Sequence, residues 1–368
     1  MTPTYQAWAE TALAGQAINR EDARRIVAGD DVDLMPLLMA AGQVRFHHFA
    51  QTVTVHMLEN VRNGACPEDC GYCGQSKISD APVKPYKLKP VDEIVADAEK
   101  AKASGAFRYC MALSGRGPGD REIEHMAEAV RRVKALGLRT CLSAGLMMDA
   151  DKARVLKDAG LDRFNHNLNT SRGHYPAICT THTYDDRIDT LRTLREAGVG
   201  LCSGLIVGMG ETYDDLVDVA YELASVEAES IPVNFLLPIA GNPINDPRCE
   251  GRPLDAKLVL RVLSMMRLVN PAAEIRVAAG REQHLRSAQA LALWPANSLF
   301  IDGYLLTEGD NAAATMRMIL DAGFEPVLEE GDWPESVRAM LEADPAEAFD
   351  PDAALPRLKA TVSAGATR

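Results

Sequence analysis

The sequence has no uninterrupted apolar run approaching the roughly 20 residues that a membrane-spanning helix needs, which argues against an integral membrane protein. Its start, MTPTYQAWAETALAG, has no basic stretch followed by an apolar one, so no secretory leader is expected and the chain reads as soluble and cytoplasmic. An excess of positive charge is also missing. Lysine and arginine number 39 against 52 acidic residues, a formal net charge of −13, with the two signs well mixed and no basic tail. A chain so acidic has no general electrostatic reason to seek nucleic acid or anionic lipid. Low-complexity stretches and short-period repeats are absent too.

What is present is 368 residues with 47% hydrophobic composition, enough for one large domain or two smaller ones. Residues 1–50 read as a helical extension, with Ile26, Leu34, Leu37 and Leu38 at helical spacing. Beyond them, β-like runs near 53–62, 106–112, 138–143, 162–168, 200–207, 231–237, 273–279 and 297–302 alternate with helical runs near 91–104, 121–135, 149–159, 184–197, 212–228, 255–269, 282–293 and 311–322. Eight strand–helix units in order predict an α/β fold, a (βα)8 TIM-type barrel over residues 51–323. A doubly wound open sheet is the alternative. Residues 324–368 read as a peripheral helix and tail.

Eight cysteines in a chain of this kind point to metal or catalysis rather than disulfides. Three fall in one turn-rich segment after the first strand, GACPEDCGYCGQ: Cys66, Cys70 and Cys73. A closed zinc site takes four ligands, and no fourth Cys or His follows nearby. Three thiolates on a 4Fe–4S cube leave one iron free for a small molecule. Zinc with a distant fourth ligand is the competing reading. On the fourth strand, Asn165, Asn167 and Asn169 alternate with His166 and Leu168, which puts three amides on one face. Amides are costly to bury without partners, so they imply a polar ligand within the barrel. His166 reads as a hydrogen-bonded scaffold residue. Cys110, Cys141 and Cys202 fall on strands two, three and five, and Arg276 lies mid-strand on the seventh, where it needs a partner.

The C-x3-C-x2-C spacing resembles the radical-SAM superfamily, whose open iron chelates S-adenosylmethionine (SAM). Tyr72 matches the aromatic residue before its last cysteine, and Gly204, Ile206, Gly208 and Glu211 match its G-x-I-x-G-x-x-E stretch beside adenine. Together with NHNLNTS, PVNFLLPIAGNP and GREQ, the motifs resemble the biotin synthase family over residues 45–323. Asn169, where many members have an acidic residue, and PIAGNP depart from its usual pattern.

The resemblance implies conversion of dethiobiotin to biotin by radical sulfur insertion, the last step of biotin biosynthesis. A 4Fe–4S cluster on Cys66, Cys70 and Cys73 would cleave SAM to a 5′-deoxyadenosyl radical. A 2Fe–2S cluster on Cys110, Cys141, Cys202 and Arg276 would donate sulfur, with Arg276 tuning rather than strictly required. Asn167 and Asn169 would face the SAM ribose, Asn165 and Asn234 the ureido ring, and Thr307 the substrate's carboxylate tail. A flavodoxin-like electron donor and a homodimer are implied as well. Cys179 and Cys249 read as incidental loop residues, and His182 has no role assigned. The rival expectations are a hydrogenase-maturation or methylornithine-forming radical-SAM enzyme, or a non-catalytic iron–sulfur protein.

Overall fold

The computed structural model describes residues 5–29 and 31–342. Three helices come first: α1 (Tyr5–Leu13), α2 (Arg20–Ala28) and α3 (Leu34–Phe49). Eight parallel staves then close on themselves. They are β1 (Thr52–Arg62), β2 (Arg108–Leu113), β3 (Arg139–Ser143), β4 (Arg163–Asn165), the pair β5 (Gly200–Cys202) and β6 (Leu205–Val207) as one stave, β7 (Ser230–Phe235), and, after a small antiparallel hairpin of β8 (Arg248–Cys249) and β9 (Arg252–Pro253), β10 (Glu274–Val277) and β11 (Ser298–Ile301). Pairing of β10 with β7 and of β11 with β1 completes the ring. The chain is therefore a TIM-type (βα)8 barrel and not an open sheet.

The outer layer consists of α4 (Val91–Ala103), α5 (Asp120–Ala135), α6 (Ala150–Asp158), the short α7 (Tyr175–Ile178), α8 (Tyr184–Glu196), α9 (Tyr213–Ser225), α10 (Ala256–Val269), α11 (Arg281–Leu285), α12 (Ala312–Asp321) and α13 (Glu335–Glu342). Each long helix buries an apolar stripe against the staves, Ile123, Met126, Val130 and Val133 of α5 being one example. Side-chain caps set their starts: Thr183 and Thr212 each accept from the amide three residues on, and Asp186 and Asp215 answer them. No described helix is long and apolar enough to cross a membrane.

The N-terminal helices seal the floor of the barrel. Buried Arg45 on α3 donates to the carbonyls of Ala50, Thr52 and Ala296, all at strand starts, and its guanidinium lies 4.7 Å from the Phe324 ring centroid. Arg267 of α10 does the same for Pro295, Pro271 and Ala273. Carbonyls at the strand starts have no ladder partner, and these two arginines supply one.

Four local expectations are corrected. The run 162–168 is a strand only over Arg163–Asn165, and 200–207 breaks at Ser203-Gly204. Both have one cause. The Gly204 amide donates to the side chain of Asn167 at 3.0 Å, and Gly204 O accepts from the Asn169 amide, so side-chain amide and backbone displace the regular ladder. Asn169 turns the chain at φ +69°. The run 282–293 is a short α-helix followed by a 3-10 helix, Arg286–Leu293. The region after Gly323 is not peripheral at its start. Phe324 is buried, and β12 (Glu325–Val327) pairs with Thr52–Thr54 of β1. The rest of the expected tail, from 343 on, lies outside the described residues.

Candidate active site

The Cys66–Gln75 segment is the loop at the C-terminal end of β1, the end at which TIM-barrel sites are built. Turns hold it in shape. Cys66 N donates to Gln75 O at 3.2 Å, Cys73 N to Cys70 O at 3.1 Å and Ser76 N to Cys73 O at 3.0 Å. Two carboxylates then fasten it to the loop after β4. Asp69 accepts from the backbone amides of Thr180 and Thr181 and from both hydroxyls. Burial works to raise its carboxyl, but the bonds from Thr180 and Thr181 win and hold it well below the ordinary range. Glu68 accepts from Thr181 Oγ1 at 2.6 Å, from His182 Nδ1 at 2.5 Å and from Arg116 at 3.2 Å.

Cys110 and Cys141 stand opposite each other on β2 and β3. Cys202, on β5, pairs with Asn165 in register. The three thiols form a small cluster with Ala278 and Phe300, flanked by Leu58 and Tyr304 and set apart from the main core. Cys202 Sγ accepts from Asn165 Nδ2 at 3.3 Å and from Arg276 at 3.8 Å. The Cys110 thiol is lowered, first by its hydrogen bond with Cys141 and then, against burial, by the Arg276 and Arg108 charges.

Beneath these thiols lies a buried charged layer. The Glu274 carboxylate receives Arg163 at 2.6 Å, Arg276, Ser230 at 2.9 Å and Ser298 at 3.3 Å. Burial alone would raise it, but Arg163 and Arg276 hold it well below the usual carboxylate value. Glu229 reaches Arg163 from outside at 3.9 Å. Thus three guanidinium groups, those of Arg108, Arg163 and Arg276, face one near and one distant carboxylate. The Nε atoms of Arg108 and Arg276 are buried without a hydrogen-bond partner. Three buried cations against one near carboxylate leave positive charge in excess, so the layer favours negative charge directly above it, where the three cysteines are.

Both cysteine trios line one cavity of about 370 Å³. Its wall also carries Tyr72, Asn165, Asn167, Asn169, Ile206, Asn234, Arg276 and Thr307, all expected there. Asn169 donates to the Tyr72 hydroxyl at 2.6 Å, tying the cysteine loop to the asparagine segment. Asn165 Nδ2 donates to Asn167 Oδ1 at 3.0 Å. Asn234 spends its amide on Leu205 O and the Ala279 amide, which fixes its orientation.

Gly204, Gly208 and Glu211 are not part of the lining. A Cβ on Gly204 would sit 1.9 Å from Pro232 O, so the glycine serves close strand packing. Glu211 is fully buried and folds back onto the amides of Gly208 and Met209, both at 2.6 Å, closing the turn after β6. His166 lines the cavity, buried, with a backbone hydrogen bond at Gly145 and Nε2 unpartnered.

Cys249 lies on the β8 hairpin strand rather than in a loop, fully buried, and is raised by burial and then by neighbouring Glu211. Cys179 is not incidental: its Sγ is 3.7 Å from that of Cys70 and 3.4 Å from His182 Nδ1. Glu274, Arg108, Arg163, Glu68 and His182 were missed as site-shaping residues. For Glu274, Arg108 and Arg163 the available signal was charge inside a strand pattern, which was read only at Arg276; Glu68 and His182 lie in loops, where no such signal exists.

The chemistry of the donors can be tested against iron–sulfur clusters. Cys70, Cys179 and His182 have ligand atoms all within 4.8 Å of one another, as one ion requires, and they are the one such trio among the described residues. Neither Cys66, Cys70 and Cys73 nor Cys110, Cys141 and Cys202 is drawn together that tightly. All-thiolate trios spread wider than a mononuclear site, one of them over a buried layer with positive charge in excess, fit multi-iron clusters.

Residues 60–223 match the Radical SAM superfamily, and residues 232–325 the Biotin and Thiamin Synthesis associated domain. The chain is 53% identical over 314 residues to a biotin synthase of Acaryochloris marina, covering 85% of this chain and 89% of that one. It is 49% identical over 325 residues to a biotin synthase of Magnetococcus marinus, covering 88% and 100%. Among solved structures it resembles methylornithine synthase (18% identity, TM-score 0.73, 88% and 98% covered). It also resembles the FeFe-hydrogenase maturase of Carboxydothermus hydrogenoformans (15% identity, TM-score 0.72, 91% and 82% covered). At such identities those two likenesses concern the fold alone.

Proposed function

The chain belongs to the biotin synthase family, and from that premise we propose that it converts dethiobiotin to biotin with SAM and two iron–sulfur clusters. The observation that carries the reading is the single cavity lined by both all-cysteine trios, the deeper one resting on guanidinium groups. In this reading Cys66, Cys70 and Cys73 hold a 4Fe–4S cluster, and Cys110, Cys141, Cys202 and Arg276 a 2Fe–2S cluster. When bound, the first supplies the electron that splits SAM and the second supplies the sulfur.

The protein's own part is to bind, orient and enclose. Tyr72, Asn167, Asn169 and Ile206 face SAM. Asn165, Asn234 and Thr307 face dethiobiotin, with the Asn234 amide already locked in one orientation. Gly204, Gly208 and Glu211 act indirectly, by fixing the two ends of β6, the strand that carries Ile206. Leu58, Met111, Phe300 and Leu306 keep much of the wall apolar, which excludes water from a site whose chemistry would otherwise attack solvent or protein. A flavodoxin-like donor, a homodimer and a cytoplasmic location belong to the same reading.

The rival radical-SAM activities need the outer trio but not Cys110, Cys141, Cys202 and Arg276 together. An electron carrier needs no enclosed cavity. The deciding experiment is anaerobic incubation of the reconstituted chain with dethiobiotin, SAM and a reductant. Biotin and 5′-deoxyadenosine are expected, and absence of biotin from a chain carrying both clusters overturns the assignment.

A further inference from the structure

The sulfur atoms of Cys70 and Cys179 are 3.7 Å apart, although the residues are 109 positions distant. One lies in the loop after β1 and the other caps the end of α7. His182 completes the group: its Nδ1 and Nε2 lie 3.4 and 3.9 Å from Cys179 Sγ. All three residues are buried. A tetrahedral ion with metal–sulfur bonds of about 2.3 Å and metal–nitrogen bonds of about 2.05 Å requires sulfurs about 3.8 Å apart and sulfur to nitrogen about 3.6 Å. The sulfur–sulfur separation of 3.7 Å matches the first value, and the 3.9 Å from Cys179 Sγ to His182 Nε2 lies a little beyond the second.

The surroundings favour a particular tautomer. His182 Nδ1 is 2.5 Å from Glu68 Oε2, and Nε2 is 2.9 Å from Arg187 NH2, a group that can only donate. The ring therefore carries its proton on Nδ1, held by Glu68, and presents a lone pair on Nε2. A carboxylate behind the protonated nitrogen is the usual support of a metal-binding imidazole; here the other nitrogen, Nε2, is held by Arg187 NH2, which an ion would displace. Binding an ion there costs one hydrogen bond from Arg187, which keeps those to Tyr175 and Asn167 O.

We propose that Cys70, Cys179 and His182 form a mononuclear site for a thiophilic divalent cation of the zinc type, with the fourth position left to water. Cys70 is shared with the iron–sulfur loop, so the ion and the outer cluster exclude each other. The cluster-free chain would hold the ion, which then gates cluster assembly. This last consequence rests on the assignment of Cys70 to the cluster; the ion site itself does not.

The probe is Co2+ titrated into the full chain stripped of metal under reducing, anaerobic conditions. One Co2+ per chain is expected, with thiolate-to-cobalt charge transfer and tetrahedral ligand-field bands, displaced by Zn2+. Cys179→Ser, nearly isosteric, and His182→Gln should each weaken binding by at least about 100-fold, with far-ultraviolet circular dichroism confirming that both variants fold. Cys66→Ser and Cys73→Ser should bind as the parent does. Equal affinity in Cys179→Ser, a requirement for Cys66 and Cys73, or no binding by the parent chain would each overturn the proposal. Zinc added before iron and sulfide should slow cluster assembly in the parent and not in Cys179→Ser; equal slowing in both counts against it. A parent chain that assembles no cluster even without zinc would contradict the iron–sulfur reading, and the cobalt titration decides the ion site without it.

Discussion

Glu274 is a single carboxylate that satisfies two buried guanidinium groups, those of Arg163 and Arg276. Replacing it with glutamine keeps the volume and removes the charge. Three cations, Arg108 included, would then face the cysteine centre with one distant counter-charge, Glu229. Breaking a buried ion pair from one side costs about 3–5 kcal/mol. Glu274→Gln should therefore lower unfolding stability by about that amount, read from urea midpoints, and an unchanged midpoint would remove Glu274 from its place as keystone. Cys141 offers a second test at this scale, since it sits between Cys110 across the sheet and Cys202. Cys141→Ala should lower iron by about two atoms per chain and abolish biotin formation. Retention of full iron content would separate the deep trio from the second cluster.

At the scale of elements, the decisive feature is the stave that is broken in two. The β5–β6 interruption turns the Gly204 amide toward Asn167, and this sets the asparagine segment facing the cavity. Gly204 can do so because it has no side chain beside Pro232 O. Gly204→Ala should cost at least about 1–3 kcal/mol through overpacking and weaken SAM binding in the same variant, measured by thermal unfolding and equilibrium binding. A fully stable variant would show that the strands can separate there at no cost. The sequence disclosed the strand and its glycines but not the interruption. A side-chain amide competing for a backbone donor on the neighbouring stave is a contact between residues 167 and 204, and no local pattern encodes it.

For the whole molecule, acid sensitivity follows from what the barrel buries. His56 is held well below the ordinary histidine value by burial and then by Arg276, and His166 by burial and then by Arg187. Both are neutral in the native state near pH 7, whereas the unfolded chain protonates each below about pH 6.5. Unfolding thus takes up protons below that pH. Stability should be flat above about 6.5 and fall below it by up to about 1.4 kcal/mol per histidine per pH unit. Urea midpoints at pH 7.5 and 5.5 test the sign; equal midpoints would mean that neither imidazole is kept neutral. Glu274 and Asp69, both depressed carboxyls, add a further loss only when the pH falls below about 4.

The alternation of eight strand-like and helix-like runs was enough to specify a parallel α/β fold and to favour a barrel, because burial of both sheet faces leaves that periodicity in any such chain, while closure over an open sheet was settled by the pairing of β11 with β1 and β10 with β7. The cysteine spacing, the strand positions of Cys110, Cys141 and Cys202, and the lone arginine on β10 were equally legible, being features of composition and local order. Three things waited for the folded chain. Cys179 approaches Cys70 across 109 positions, Glu274 reaches Arg163 across the barrel as well as Arg276 on its own strand, and Glu211 turns inward to the backbone instead of the cavity. Sequence order fixes which side chains share a face of one element. Which elements come within hydrogen-bonding reach is decided by closure of the ring, and those contacts determine where charge is left unpaired.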